Sequence, residues 1–291
     1  MHYQYIVMKI SKLIIIILCF SKLVAGSEVH ISGIVVDEQK QPLPYVNISI
    51  KGKNLGCISD VNGNFRLKIK RSLVQASDKI SFSSIGYATK DFQLAHIWQQ
   101  DYVKVILKKK AEQIPAARIT GETKKTKTRG TTHFPLPLGV HIALPDYPNQ
   151  NLGAAIGRTF RLKHASSKVE KLRFYLYFNN YDTVVFRLAF YDLRRGKPGK
   201  PVIKEPVYIE ITDKKTGWIT THLEEYNTCL NEKVILALEW VDKSANGDTL
   251  SFPLARPSLA SHYYKHGVNN KWERWPGMSA LMELTFTYKE K

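Results

Sequence analysis

GIVVDEQKQPLPYVNISIKG, residues 33–52, decides how the chain folds. Its apolar run Ile34-Val35-Val36 continues Val29 and Ile31 into one strand that stops at Asp37. Gln41-Pro42-Leu43-Pro44 is a turn, because proline fixes φ and brings no donor to a strand ladder. Val46, Ile48 and Ile50 then alternate with Asn47 and Ser49, the period of two that marks a half-buried strand. Working outward, Asp60-Val61-Asn62-Gly63-Asn64 reads as a tight turn in which Gly63 is free to take positive φ. Phe65, Leu67 and Ile69 alternate with Arg66, Lys68 and Lys70. Ile80, Phe82 and Ser84 continue the pattern, and Val103, Val105 and Leu107 close it. Short alternating strands with turn punctuation over residues 28–108 predict a β-sandwich.

Three strings in this region, residues 33–52 together with GCISDVNGNFRL (56–67) and ISFSSIGY (80–87), resemble the carboxypeptidase regulatory-like domain. Gly33, Val35, Asp37, Pro42, Leu43, Pro44, Val46, Asn47, Asp60, Gly63, Phe65, Gly86 and Tyr87 occupy the positions of that family's pattern in order. The resemblance implies a prealbumin-like or immunoglobulin-like β-sandwich. It also implies an accessory module of the kind common on exported Gram-negative proteins, and the family name does not imply peptidase activity. Asp60 and Gly63 read as turn residues, since a calcium loop needs more carboxylates at EF-hand spacing.

The flanking segments carry charge and address. Lys9 and Lys12 precede the apolar run LIIIILCF at 13–20, and Ala25, Gly26 and Ser27 follow it. Residues 1–26 therefore read as a secretory signal peptide, and the run is too short for the roughly 20 residues of a spanning helix. No transmembrane helix is expected after cleavage. The net charge of +18 falls to +15 when Lys9, Lys12 and Lys22 leave. Residues 109–137 lack apolar period and read as a basic linker, with a net +6 between Lys108 and Gly130. A polybasic run attracts polyanions, but an exported chain without a nucleic-acid-binding motif points away from nucleic acid. The two remaining cysteines, Cys57 and Cys229, are too few for a zinc site.

Residues 138–289 return to strong alternation. Leu172, Phe174, Leu176 and Phe178 share one face, with Arg173, Tyr175 and Tyr177 on the other. Val184, Phe186, Leu188 and Phe190 oppose Val185, Arg187 and Tyr191, and NNYD between the two runs suggests a hairpin. Residues 194–201, RRGKPGKP, read as a loop. Val207–Ile211, Trp218–His222, the apolar run 234–241 and Leu281–Tyr288 supply further strands. The fold class is all-β: an N-terminal immunoglobulin-like or prealbumin-like sandwich plus a larger C-terminal sandwich of jelly-roll type. The strings at 169–201, 217–227 and 234–240 resemble the β-rich segment that often follows this module in bacterial surface and periplasmic proteins.

The search for chemistry yields few candidates. His222-Leu223-Glu224-Glu225 contains a His and a carboxylate for a metal, with His262 or His266 as third ligand, but so short a match lacks the context of a metalloenzyme. No nucleophile elbow, phosphate loop or opposed carboxylate pair is present. No catalytic residue, metal site or cofactor is assigned, and the chain is expected not to be an enzyme. What remains is aromatic: Tyr263, Tyr264, Trp272 and Trp275 in HYYKHGVNNKWERWPG, residues 262–277. Such rings stack on sugars or anchor protein partners, and they also cap cores. The expected function is an exported accessory or binding protein of the envelope or surface, periplasmic, outer-membrane-associated or on the surface of a Gram-negative cell. Its partner is a polysaccharide or an envelope protein. The alternatives are a structural envelope subunit without a small ligand and, less favoured, a metal-dependent hydrolase.

Overall fold

The computed structural model describes residues 28–110, 124–133, 138–145, 152–162, 167–230 and 233–289. The expected signal peptide lies outside the described residues, as do Ile114 and Ile119 of the expected linker. No helix among the described residues is long and apolar enough to cross a membrane. The fold is all-β.

The first module holds β1 (Glu28–Val36), β2 (Asn47–Ile50), β3 (Gly56–Ile58), β4 (Asn64–Lys70), β5 (Lys79–Ser83), β6 (Lys90–Gln93), the one-turn helix α1 (Leu94–Ile97) and β7 (Val103–Ile106). One sheet has the order β4-β1-β7 and the other β3-β2-β5-β6. Their inner faces share a core that includes Ile31, Val35, Ile48, Phe65, Phe82 and Val105. Each such fully buried side chain contributes about 1.5–3 kcal/mol. β1 runs parallel to β7, and Gly33 faces Val103 there. A Cβ on Gly33 would lie 1.9 Å from the Val103 carbonyl oxygen, so the position admits only glycine. The two motif aspartates do the same work. Asp37 Oδ1 accepts the amides of Gln39 and Gln41 at 2.9 and 2.8 Å, and Asp60 Oδ1 accepts those of Asn62 and Asn64 at 2.9 and 2.8 Å. Both close turns of the Asx kind, and Gly63 takes φ +75° as the turn requires.

The second module holds β8 (Lys124–Gly130), β9 (Leu138–Ala143), β10 (Ala155–Arg161), β11 (Ser167–Leu176), β12 (Phe178–Asn179), β13 (Thr183–Arg194), β14 (Lys197–Pro201), β15 (Val207–Thr212), β16 (Gly217–His222), β17 (Cys229–Leu230), β18 (Lys233–Lys243), β19 (Leu250–Ala255), β20 (Ser261–Lys265), β21 (Glu273–Pro276), β22 (Ser279–Ala280) and β23 (Met282–Lys289). A seven-stranded sheet runs β14-β13-β18-β10-β20-β21, with β15 also on β13. A five-stranded sheet runs β16-β11-β23-β8, with β17 on β11, and a four-stranded sheet joins β12, β19, β22 and β9. Phe174 of β11 and Phe252 of β19 both pack against Phe186 of β13, with centroids 6.1 and 5.6 Å apart. The seven-stranded sheet thus closes against the other two over one core.

Four readings need correction. NNYD does not make a hairpin: β11 and β13 lie in different sheets, so the chain crosses the core there. The linker 109–137 is not all linker, because KKTKTRG is β8, paired with β23 from Gly130↔Glu283 to Lys124↔Lys289. An edge strand needs backbone pairing and no apolar face, and a lysine-rich one resists further pairing. Residues 194–201 contain β14, turned back by Arg195 and Gly196 at φ 49° and 76°. Phe178 does not share the face of Leu172, Phe174 and Leu176. Those three are fully buried, whereas Phe178 is half exposed, because β11 ends at Leu176.

Candidate functional site

The structure divides the four aromatic residues of the expected ligand surface. Tyr263 and Tyr264 are neighbours in β20, so their side chains leave opposite faces of the sheet. Both are buried. Tyr264 joins the core and its hydroxyl donates to the His141 carbonyl at 3.2 Å. The Tyr263 hydroxyl donates to the Gly196 carbonyl at 3.0 Å in the β13–β14 turn. Trp275 is half-buried, stacked on Tyr264 at 6.1 Å and tilted against His262 at 5.3 Å, where it caps the core. Trp272 is also half-buried. It meets Tyr191 edge-on at 5.8 Å, and the Lys265 ammonium lies 5.7 Å from its ring. Of the four, only the two tryptophans keep surface for a ligand.

Beside this cluster lies a charged group that the sequence reading missed. Tyr208, Arg187, Glu239, Ala155 and Lys265 are successive cross-strand partners along β15, β13, β18, β10 and β20. They lie on the face of the seven-stranded sheet away from the core. Glu239 Oε2 accepts Arg187 Nε at 3.0 Å and Nη2 at 2.6 Å, and its Oε1 accepts Lys265 Nζ at 2.7 Å. The short side chain of Ala155 leaves Lys265 room to reach across. Arg187 is 1% exposed and Glu239 3%. Burial pushes the Glu239 carboxyl up, but the two cations outweigh it and hold the group at about 2. Burial likewise opposes the Arg187 charge, and Glu239 reverses that, so the guanidinium stays firmly protonated.

The first module covers this face. Arg187 Nη1 donates to the Tyr45 carbonyl at 2.5 Å, and the Tyr208 hydroxyl donates to the Pro44 carbonyl at 3.4 Å. The Tyr45 hydroxyl donates to Asp242 at 3.1 Å, so burial first and that carboxylate second raise its pKa. Tyr45, Val185 and Val241, flanked by Ile58 and Tyr208, form a small apolar cluster of their own. Asn269 Nδ2 adds bonds to the carbonyls of Ile50 and Lys53 at 2.8 and 2.7 Å. A Cβ on Gly86 would lie 2.6 Å from the Lys204 carbonyl oxygen. The motif residues Pro42 and Pro44 thus shape the turn that docks the modules, and Gly86 permits their close approach. Tyr87 and Phe65 serve the first core. One signal could have found the triad: Glu239 interrupts the apolar run 234–241, and a carboxylate in a strand buried on both faces needs a cation.

On the core face of β10, Arg158 stands opposite His262 of β20. Arg158 is buried with no carboxylate partner among the described residues. Its Nη1 lies 3.2 Å from the carbonyls of Ala280 and Met282. Burial pulls its pKa down to about 10. Neither ring nitrogen of His262 has a hydrogen-bond partner among the described residues, and burial pushes its pKa down to about 3, so it is neutral.

The metal candidates are not brought together. His222 Nδ1 lies 3.4 Å from Glu224 and is exposed, His262 is in the core, and His266 pairs with Glu273 at 3.1 Å. No group of three metal-ligating side chains occurs among the described residues. Cys57 and Cys229 are both free thiols, and burial pushes Cys57 up to about 12.

Among solved structures, the chain is similar to the cysteine protease and lectin-like domains of Cwp84, a surface-layer-associated protein of Clostridium difficile, at 12% identity and TM-score 0.37. That match covers 47% of this chain and 32% of that one. BcpA, the major pilin subunit of Bacillus cereus, matches at 13% identity and TM-score 0.21 over 88% and 69% of the two chains. A putative carbohydrate-binding protein from Bacteroides uniformis matches at 11% and 0.19 over 90% and 98%. The chain spans 32% and 40% of the two Cwp84 structures it matches. Likeness at this level says nothing about what this chain binds. No curated protein matches it. Residues 31–116 match the model of the CarboxypepD_reg-like domain, so the N-terminal sandwich is a domain of that family, while the rest of the chain matches no family model.

Proposed function

We propose that the chain is an exported, non-enzymatic accessory or binding protein of the Gram-negative envelope, whose C-terminal sandwich engages a polysaccharide or protein partner. The pattern of residues 9–27 supports export. The observation that carries the binding role is Trp272. Its indole is half-buried and keeps part of its surface open, yet it is held by the edge of Tyr191 and by the Lys265 ammonium. A rigid aromatic surface of this kind binds at small entropic cost. Binding to a glycan array or to envelope extract tests the reading. Trp272→Ala should weaken binding by about two- to tenfold. Undiminished binding by both Trp272→Ala and Trp275→Ala contradicts it.

A second reading is a structural subunit without a small ligand. It is favoured by the Arg187–Tyr45 contact, which fixes the two sandwiches to one another. Capture of an envelope protein that survives both tryptophan substitutions, with no glycan bound, supports this second reading.

A further inference from the structure

A depression of about 100 Å³ opens on the outer face of the seven-stranded sheet. Its wall includes Thr159, Arg161, Lys233, Ser261, Tyr263 and Arg274. Among the described residues the wall holds three cations, three hydroxyls, of which that of Tyr263 already donates to the Gly196 carbonyl, and no carboxylate. Arg161 and Lys233 are direct cross-strand partners in β10 and β18. Like charges placed opposite one another in a sheet destabilise it, and neither has an ion-pair partner among the described residues. Arg274 enters from β21. Its Nε donates to Ser261 Oγ at 3.1 Å, which fixes the guanidinium plane. Gly196 gives it room, since a Cβ there would lie 3.3 Å from Arg274 Nη1.

We infer that this depression receives an anionic oxygen group, carboxylate or sulfate, carried by an acidic polysaccharide. An oxyanion at its centre relieves the Arg161–Lys233 repulsion and takes charge-assisted hydrogen bonds from Arg274. The volume fits one such group, about three waters' worth of liquid, so the rest of the ligand must lie outside. Trp272 precedes Arg274 by two residues, just before β21 begins, so at most about 7 Å of extended chain separates them. Tyr191 precedes the lining residue Leu193 by two as well. A sugar ring on Trp272 is thus within reach of its own or its neighbour's acidic substituent in the depression. This inference rests on the binding role proposed for Trp272 and names the ligand class.

The test uses the full chain with four immobilised probes: polygalacturonate, dextran sulfate, neutral dextran and polyglutamate. Arg161→Gln/Arg274→Gln is compared with wild type and with Trp272→Ala. Both arginines are exposed, so the double variant should keep the wild-type melting curve. Wild type should prefer an acidic polysaccharide over dextran, with affinity falling as salt rises. The double variant should lose about tenfold or more of that affinity. Equal affinity in the double variant overturns the inference. Polyglutamate binding as tightly as the acidic sugars, with the same dependence on the arginines, overturns the sugar assignment in favour of an acidic protein segment. Trp272-dependent binding of dextran with no acidic preference overturns the inference while the binding role stands. No binding to any probe overturns the inference, and the binding role then falls only if glycan array and envelope extract are silent too.

Discussion

Arg187 and Arg158 are both buried, one on each face of the same seven-stranded sheet, and they are solvated by the protein in opposite ways. Arg187 has a carboxylate, Glu239, and a carbonyl from the other module, Tyr45. Arg158 has two carbonyls, an aromatic ring 4.8 Å from its Cζ, and no acid among the described residues. The consequence shows in their protonation. Glu239 raises the pKa of Arg187 against the effect of burial, whereas burial lowers that of Arg158 unopposed. A buried arginine with an acid is therefore a joint: remove either partner and a charge is stranded. A buried arginine without one is a polar plug whose loss strands no charge.

The largest expected effect follows at the joint. Arg187→Met leaves Glu239 with Lys265 alone and the Tyr45 carbonyl without its donor. It should cost about 3–5 kcal/mol, the usual penalty for breaking a buried pair from one side, measured by urea denaturation. Replacing Arg187, Glu239 and Lys265 together by Met, Leu and Met should cost far less, because no charge is stranded. A triple variant as unstable as the single one would break the comparison.

Next comes His262, the cross-strand partner of Arg158. Its folded pKa of about 3 lies below its ordinary 6.5. Between those values the unfolded chain binds more protons than the folded one, so stability rises with pH. The contribution is full above pH 6.5 and is lost as pH falls towards 3, amounting to about 3 kcal/mol at pH 4. His262→Leu should flatten the stability profile between pH 6.5 and 4.5. Glu239 adds its own loss only below about 4.5, since its folded pKa is depressed. An unchanged slope in His262→Leu contradicts the burial of a neutral imidazole.

Smaller still is Arg158→Met. The Met282 carbonyl keeps the Thr131 amide at 3.1 Å, so the change should stay within about 1–2 kcal/mol of wild type in either direction. The smallest effect belongs to a partly exposed pair. Arg173 and Glu283 meet at 2.7 Å with the Arg173 side chain 37% exposed, and a double-mutant cycle there should give no more than about 1 kcal/mol.

The two arginines also mark where sequence reading stops. Strands of the first module were legible because one face of each is apolar and the other wet, as in the strict alternation of Asn64–Lys70. The same rule put Arg187 on a solvent face, since Arg187 is out of phase with Val184, Phe186 and Leu188. Nothing local to β13 says that another module covers that face. KKTKTRG has no apolar period to betray β8, and NNYD looks the same whether the next strand pairs with the last or crosses the core. The division of the aromatic cluster was partly readable, because adjacent residues in a strand cannot share a face and Tyr263 and Tyr264 are adjacent. The depression was not, as it assembles Arg161, Lys233 and Arg274 from three strands far apart in sequence.

That Arg187 joins the two sandwiches into one unit is tested most directly by native-state hydrogen exchange of wild type and Arg187→Met. In wild type, the amides of β2 and β13 should exchange with the same opening free energy, and in Arg187→Met the β2 amides should open at a separate energy. Distinct opening energies for β2 and β13 in wild type, unchanged by the substitution, would show two sandwiches that merely touch.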